Sequence, residues 1–532
     1  MRKSLVPIIL FVLCVSVAFT VSADTSSSPG GNIQNDEEII NAVLEHFQKI
    51  AAIPRPSGHE EKVSLYLYEY AEGKGFHAER DRSNNVIVDI PATPGLEKLP
   101  KVALQGHMDM VCVSDNADYD PENDPIEVIR EGNIIHANGT SLGADDGIGV
   151  AMILCVMDGL MPHGPIRVIF TTDEEVNTSG AANFDPSHLA DCLCLINLDI
   201  EDSNSVILGC ASFSEIEITS PTETIKPEGD QSMTLRISGL TGGHSAQLFS
   251  FNRLNAIKVL INLLHALRNN GLSFALASFS GGTASNVVPS SAECEIVISG
   301  KDTDKYKTVV EQFHDTFRNN RADAADMKIS FTENERLPEK VFSTDCTEKL
   351  LNCTSLIPDI VLDTDESNPG TPVTTANLGA IKASPEGISL VSSLRSRTES
   401  QYVSALNLQR EMFELNGFAF KIHSASPVWE YAKNNPLRDL YCKVFEKQTG
   451  HQPKQGTARG ALECALFIRS NPDLQMISIG PDTDDTHSVR ETTHLPSIVT
   501  VWRALAETLA HIDECANTSA ASNVQASSSD AA

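Results

Sequence analysis

The sequence predicts an α/β fold: a central mixed β-sheet flanked by helices and interrupted by an inserted α+β block. Three observations lead there. Before residue 213, short apolar strands alternate with polar turns and helices, the rhythm of a sheet whose chemistry gathers at the carboxyl ends of its strands. From about 214 the texture shifts to alternating strands with fewer helices between them. A histidine motif near 487 completes a polar cluster otherwise found before 200, so the middle block reads as an insertion.

Residues 1–23 read as a secretory leader. Arg2 and Lys3 precede an apolar run from Leu5 to Val21, and Val21-Ser22-Ala23 forms a small-residue cleavage site. The expected location is therefore secreted or periplasmic, with no stable membrane span after cleavage, because no later segment is as long and apolar. Residues 24–35 are Ser-, Gly- and Asn-rich and read as a flexible leader. The main domain begins at 36–213. Its first helix, 36–53, carries a stripe of Ile39, Ile40, Val43, Leu44, Phe47 and Ile50 and ends at Pro54-Arg55-Pro56. A second helix follows over 59–74, then strands at 85–90 and 101–104, a loop that becomes a helix over 145–158, and strands at 166–171 and 192–198.

The inserted block is placed at 214–399, with strands at 214–218, 232–237, 292–298 and 327–331 and helices at 256–267 and 306–317. Residues 400–512 return to the main domain through helices at 402–414, 459–469 and 495–512 and a strand at 476–479. The Ser- and Ala-rich tail, 513–532, reads as disordered.

Composition narrows the class. An apolar share of 41% and a charged share of 21% describe a globular chain. The formal charge of −31, from 71 acidic against 40 basic residues, repels phosphate backbones and excludes nucleic acid as a partner. The 12 cysteines are irregularly spaced, and Cys155, Cys192, Cys194 and Cys464 lie in apolar runs, as buried small hydrophobes do. Cys346 and Cys353 form the one spacing that suggests a bridge.

Five motifs carry chemistry: Gly106-His107-Met108-Asp109, Gly143-Ala144-Asp145-Asp146-Gly147, Thr172-Asp173-Glu174-Glu175, Asn197-Leu198-Asp199 and Asp485-Thr486-His487-Ser488. Together they hold the donors for two divalent metals with one carboxylate left over as a base. On a continuing strand His107 and Asp109 share a face, so the carboxylate can stand behind the imidazole and fix its tautomer. A carboxylate at Asp145, in a Gly-rich loop, can bridge two metals. Of the neighbours Glu174 and Glu175, one can bind metal while the other holds the attacking water. Paired metals lower the pKa of a shared water and polarise a carbonyl, and the free glutamate accepts the proton.

These motifs, with Leu104 to Val111, Leu142 to Gly149, Gly239 to Ser245, Thr374 to Gly379 and Gly480-Pro481, resemble those of the aminoacyl-histidine dipeptidases. That family, also called Xaa-His or beta-alanyl-histidine dipeptidases, is a branch of the co-catalytic zinc metallopeptidase superfamily. The likeness runs from about residue 36 to 511. It implies two divalent ions, Zn²⁺ first with Mn²⁺ or Co²⁺ as substitutes. One would be held by His107, Asp145 and Asp199, the other by Asp145, Glu175 and His487. Asp109 would orient His107 and Glu174 would be the general base. The inserted block would be a lid that also makes a homodimer, with His244 stabilising the oxyanion, Asn286 near the substrate and Arg395 clamping its carboxylate. Glu463 would help recognise the substrate. The implied reaction is hydrolysis of unblocked dipeptides, including Xaa-His; an N-acyl amino acid deacylase or metallocarboxypeptidase would use the same site. Two departures stand out. Asp146 replaces an asparagine frequent in this branch, and Arg459-Gly460-Ala461-Leu462-Glu463 replaces His-Ala-Gly-Leu-Glu, which leaves side-chain preference open.

Overall fold

The computed structural model describes residues 35–245, 253–357, 361–364, 372–458, 460–471 and 473–516. The expected secretory leader 1–23, all but the last residue of 24–35, Arg459 and residues 517–532 lie outside the described residues. Residues 513–516 form a short helical turn with Cys515 buried, so the described chain stays ordered slightly past the expected end at 512.

The described residues place eight strands in one mixed sheet. Its order is His77–Arg80, Val86–Ile90, Ile166–Thr171, Val102–His107, Cys194–Asn197, Gln475–Ser478, Ser205–Cys210 and Lys454–Ala458. The four central strands, from Ile166–Thr171 to Gln475–Ser478, pair in parallel. Three of these, beginning at Val102, Ile166 and Cys194, are buried along their whole length, which is why they read as continuous apolar runs. Alternate side chains feed two layers. Val86, Val88, Val102 and Leu104 face helices Asp36–Ala51, Ala144–Met157, Pro436–Thr449 and Leu495–Ala510, while Ile87, Ala103, Ile169 and Leu195 face Phe184, Leu189 and Phe467. Asn35 caps the first helix by accepting the N–H groups of Glu37 and Glu38.

The middle of the chain builds a second, nine-stranded sheet. Its antiparallel path runs Lys328–Glu333, Gln231–Ser238, Ala292–Ile298, Ala275–Gly282, Pro372–Ser384, Gly387–Ser396, Phe213–Ser220 and Ala419–Ser426. Helix Ala256–Asn269 lies in the core beneath it. The return to the first sheet falls later than the expected 399. Tyr402, Leu406 and Phe413 of helix Glu399–Leu415 join the second core, and Ala419–Ser426 pairs with Phe213–Ser220. The chain leaves the first sheet at Cys210 and comes back at Trp429, and these two residues exchange backbone hydrogen bonds of 2.8 and 3.1 Å.

Two further expectations are corrected. The helix expected at 459–469 begins only at Cys464. The eleven cysteines among the described residues are free, and Cys346 and Cys353 lie along a single helix, Thr344–Leu356, so they form no bridge. A small sheet, not expected from the sequence, joins Thr483–Asp484 and Thr492–His494 to Ile134–Ala137 and Val128–Glu131. Among the described residues no helix is long and apolar enough to cross a membrane.

Candidate metal centre and substrate cleft

The parallel strands end together, and their ends carry the predicted donors. His107 closes Val102–His107, Glu174 and Glu175 follow Ile166–Thr171, and Asp199 follows Cys194–Asn197. Asp173 takes a left-handed backbone, φ 54°, and the turn aims the N–H groups of Glu174 and Glu175 at Asp109, at 3.0 and 3.2 Å. His487 comes from the loop between the two short strands Thr483–Asp484 and Thr492–His494, so the small sheet carries it to the cluster.

Asp145 stands in the middle. Its Oδ1 lies 3.0 Å from His107 Nε2 and its Oδ2 lies 3.3 Å from His487 Nε2. His107 Nε2 is also 3.6 Å from Asp199, and His487 Nε2 is 2.9 Å from Glu175. Two donor groups result, His107–Asp145–Asp199 and Asp145–Glu175–His487, sharing Asp145; His107 also groups with Glu174 and Glu175. Behind the first imidazole, Asp109 Oδ1 lies 3.4 Å from His107 Nδ1, and Asp109 Oδ2 accepts the Ser57 hydroxyl at 2.8 Å.

The electrostatics suit cations. Burial opposes ionisation of Asp145, but His107 and His487 outweigh it and hold the carboxyl well below the usual range. Asp145 and Glu175 in turn push His487 up to about 10, against the opposing effect of burial. The field that holds a proton there is the field that would hold a divalent ion, and imidazole with carboxylate is a fitting donor set for one. Glu174 is pushed well up, chiefly by burial; His107 opposes this, and Glu463 and Glu175 add to it.

Several supporting residues gave no clear signal in the sequence. Arg55, fully buried, donates from Nη1 to the carbonyls of Met108 and Asp109 at 3.0 and 2.8 Å and from Nη2 to Gly143. Glu491 accepts four backbone N–H groups: Leu142 and Gly143 on one oxygen at 2.8 and 3.0 Å, Ala144 and Asp145 on the other at 2.8 and 3.4 Å. It thereby fastens the Asp145 loop to the segment that carries His487. The visible clues were a charged residue between two prolines and a glutamate four residues past His487. Asp146 turns away from the cleft and packs its buried carboxyl between Gly106 and Gly149, where a Cβ would meet its oxygens at 2.3 and 2.1 Å. Glycine at both positions is what makes that room.

A cleft of about 940 Å³ opens over the cluster, lined by Asp145, Glu175, Asp199 and His487 together with His244 and Arg395. The buried Arg395 guanidinium lies 4.4 Å from the centre of the Phe213 ring, and its Nε has no hydrogen-bond partner. Burial lowers it to about 10, so it remains a cation at neutral pH. Two predicted substrate contacts are placed differently. Glu463 is fully buried beneath the strand ends, where Oε2 accepts Gln105 at 2.7 Å and Thr171 at 2.6 Å, and it does not line the cleft. Asn286 is also absent from the cleft wall; its carbonyl accepts the N–H of Ser245, beside His244, at 2.7 Å.

Known proteins are similar to this chain. The cytosol non-specific dipeptidase of Escherichia coli is 32% identical over 475 residues, 88% of this chain and 96% of its own. The crystal structure of aminoacylhistidine dipeptidase from Vibrio alginolyticus superposes with a TM-score of 0.81 at 28% identity, covering 88% of this chain and 96% of that one. A Staphylococcus aureus tripeptidase, at 14% identity and a TM-score of 0.53 over 88% of this chain and 97% of its own, shares the fold. The Escherichia coli match overturns the expected secreted or periplasmic location, because the relative aligned over nearly its full length is named for the cytosol. Hydropathy and a small-residue site describe only the first residues, whereas this likeness spans both sheets. The model of peptidase family M20/M25/M40 matches residues 103–511, a span that holds every residue of the two donor groups, and the chain belongs to that family.

Proposed function

We propose that this chain is a dinuclear metal-dependent dipeptidase that hydrolyses the peptide bond of unblocked dipeptides, Xaa-His among them. The observation that carries the reading is the shared carboxylate of Asp145, with an imidazole near each oxygen and the buried Arg395 lining the same cleft. His107, Asp145 and Asp199 would hold one ion, and Asp145, Glu175 and His487 the other. Bound there, paired Zn²⁺ ions supply an acidified water and a polarised carbonyl; Mn²⁺ or Co²⁺ fits the same donors.

The chain's own residues divide the remaining work. Glu174, with its raised proton affinity, accepts the proton of the attacking water and passes it to the leaving amine. Asp109 fixes the His107 ring. Arg395 pairs with the free carboxylate of the substrate, for which a planar guanidinium stacked on Phe213 is well prepared. His244, which lines the same cleft, stabilises the developing oxyanion. The second sheet with its helices acts as the lid and as the homodimer surface, which light scattering of the purified protein tests.

The reading is tested with free dipeptides that vary only in the C-terminal residue. Cleavage is expected, lost on chelation and restored by Zn²⁺. Metal-replete protein that leaves every free dipeptide intact refutes it. Preference for N-acetylated over free dipeptides points instead to a deacylase.

A further inference from the structure

The acidic residues that line the cleft are not equally committed. Asp145, Glu175 and Asp199 face the two histidines, and Glu174 stands beside them. Asp202 is engaged by the Asn204 N–H at 3.0 Å, the Ser205 hydroxyl at 2.7 Å and Lys454 at 3.3 Å. Glu201 is different. It lines the same cleft, is exposed to it, and makes no hydrogen bond or ion pair to another side chain among the described residues. Its backbone is held in place, since its carbonyl accepts the N–H of Thr483 at 3.3 Å. It lies within electrostatic reach of Asp145, Glu175 and His487.

A free dipeptide is a zwitterion. Arg395 offers a partner for its carboxylate, but two divalent ions repel its α-ammonium. A carboxylate not already spent on those ions can compensate. We propose that Glu201 is the specificity-determining residue that pairs with the substrate's free α-amino group, so that Glu201 and Arg395 together select unblocked dipeptides. This inference rests on the dipeptidase reading above.

The test compares a free dipeptide, Ala-Ala, with its des-amino analogue, N-propionyl-alanine, which keeps the scissile amide and the carboxylate. The metal-loaded full chain and its Glu201→Gln, Glu201→Ala and Glu201→Asp variants are assayed, with metal content and thermal unfolding measured for each. Glu201→Gln and Glu201→Ala should lower the ratio of kcat/KM for the free dipeptide over the analogue by roughly tenfold or more, mainly through KM. Glu201→Asp, which keeps the charge, should restore part of that ratio. A purely structural role would depress both substrates alike and leave the ratio where it was. An unchanged ratio in folded, metal-loaded Glu201→Gln, with the unaltered protein still cleaving Ala-Ala, overturns the role of Glu201 alone. Unaltered protein that cleaves only the acylated analogue overturns the dipeptidase reading and the role of Glu201 with it.

Discussion

Replacing Glu491 by glutamine changes one atom and no volume, yet it strikes the loop that presents Asp145. The carboxylate serves four N–H groups with two oxygens. An amide keeps one oxygen and turns two hydrogens toward the remaining donors. The better pair to retain is Leu142 and Gly143, at 2.8 and 3.0 Å, which leaves Ala144 and Asp145 without an acceptor. A buried donor left unpaired costs about 1–3 kcal/mol, and the bond from Asp145 is already long at 3.4 Å, so the pair costs about 2–4 kcal/mol. Part of that loss falls on the metal-free protein. The rest appears as weaker binding, about 10- to 100-fold, because the displaced residue belongs to both donor groups. The assay is competition against a chromophoric chelator, with circular dichroism to establish that the variant is folded. A folded E491Q protein that holds both metals as tightly as the unaltered chain, at unchanged kcat, refutes the reasoning.

Other substitutions separate the remaining roles. Glu174→Gln should keep its metals while turnover falls by about 10²- to 10⁴-fold; metal analysis beside a rate measurement checks this, and near-normal turnover removes Glu174 as the base. Arg395→Met should raise KM for dipeptides with a free carboxylate far more than for their C-terminal amides, and equal effects on both would remove the ion pair. Asp158 predicts a pH dependence away from the metals. Burial opposes its ionisation, but His46, Lys74 and Tyr70 outweigh this and hold the folded carboxyl below its usual range. A depressed folded pKa contributes stability above the unfolded value, about 3.9, and loses it as the pH falls toward the folded value. Thermal melting should therefore show Asp158→Asn least stable relative to the unaltered chain near neutral pH, with the gap closing in acid; a gap that widens in acid contradicts the assignment.

Three of the candidate donor segments, at His107, Glu174-Glu175 and Asp199, were legible because fully buried parallel strands announce their own ends. A run such as Ile166 to Thr171 has nowhere to go but the middle of a sheet, and the acidic residues after it must sit at its mouth. His487 was legible only through motif wording, since the small sheet that delivers it is made of strands too short to read. Arg55 and Glu491 were hidden for a different reason. Their partners are backbone carbonyls and N–H groups, and a backbone leaves no complementary letter in the sequence. Glu463 shows the converse: proximity to a pocket motif says nothing about which side of the sheet a carboxylate faces. The misjudged return at 399 has a similar cause. Lys421, His423 and Ser424 make Ala419–Ser426 read as polar, although the strand closes the edge of the second sheet against Phe213–Ser220.

The paired backbone hydrogen bonds between Cys210 and Trp429 have a consequence for how this chain can be altered. Because exit and return lie side by side, everything between them behaves as one long loop whose ends are already closed. Closure entropy grows only with the logarithm of loop length, so lengthening, shortening or exchanging that stretch costs the first sheet little. The second sheet is in this sense a cassette. A deletion joining Ala211 to Val428 through a short glycine linker should leave the eight-stranded sheet able to fold with its donor strands, and grafting the corresponding segment of another M20 enzyme onto the same two residues becomes a route to new substrate preference.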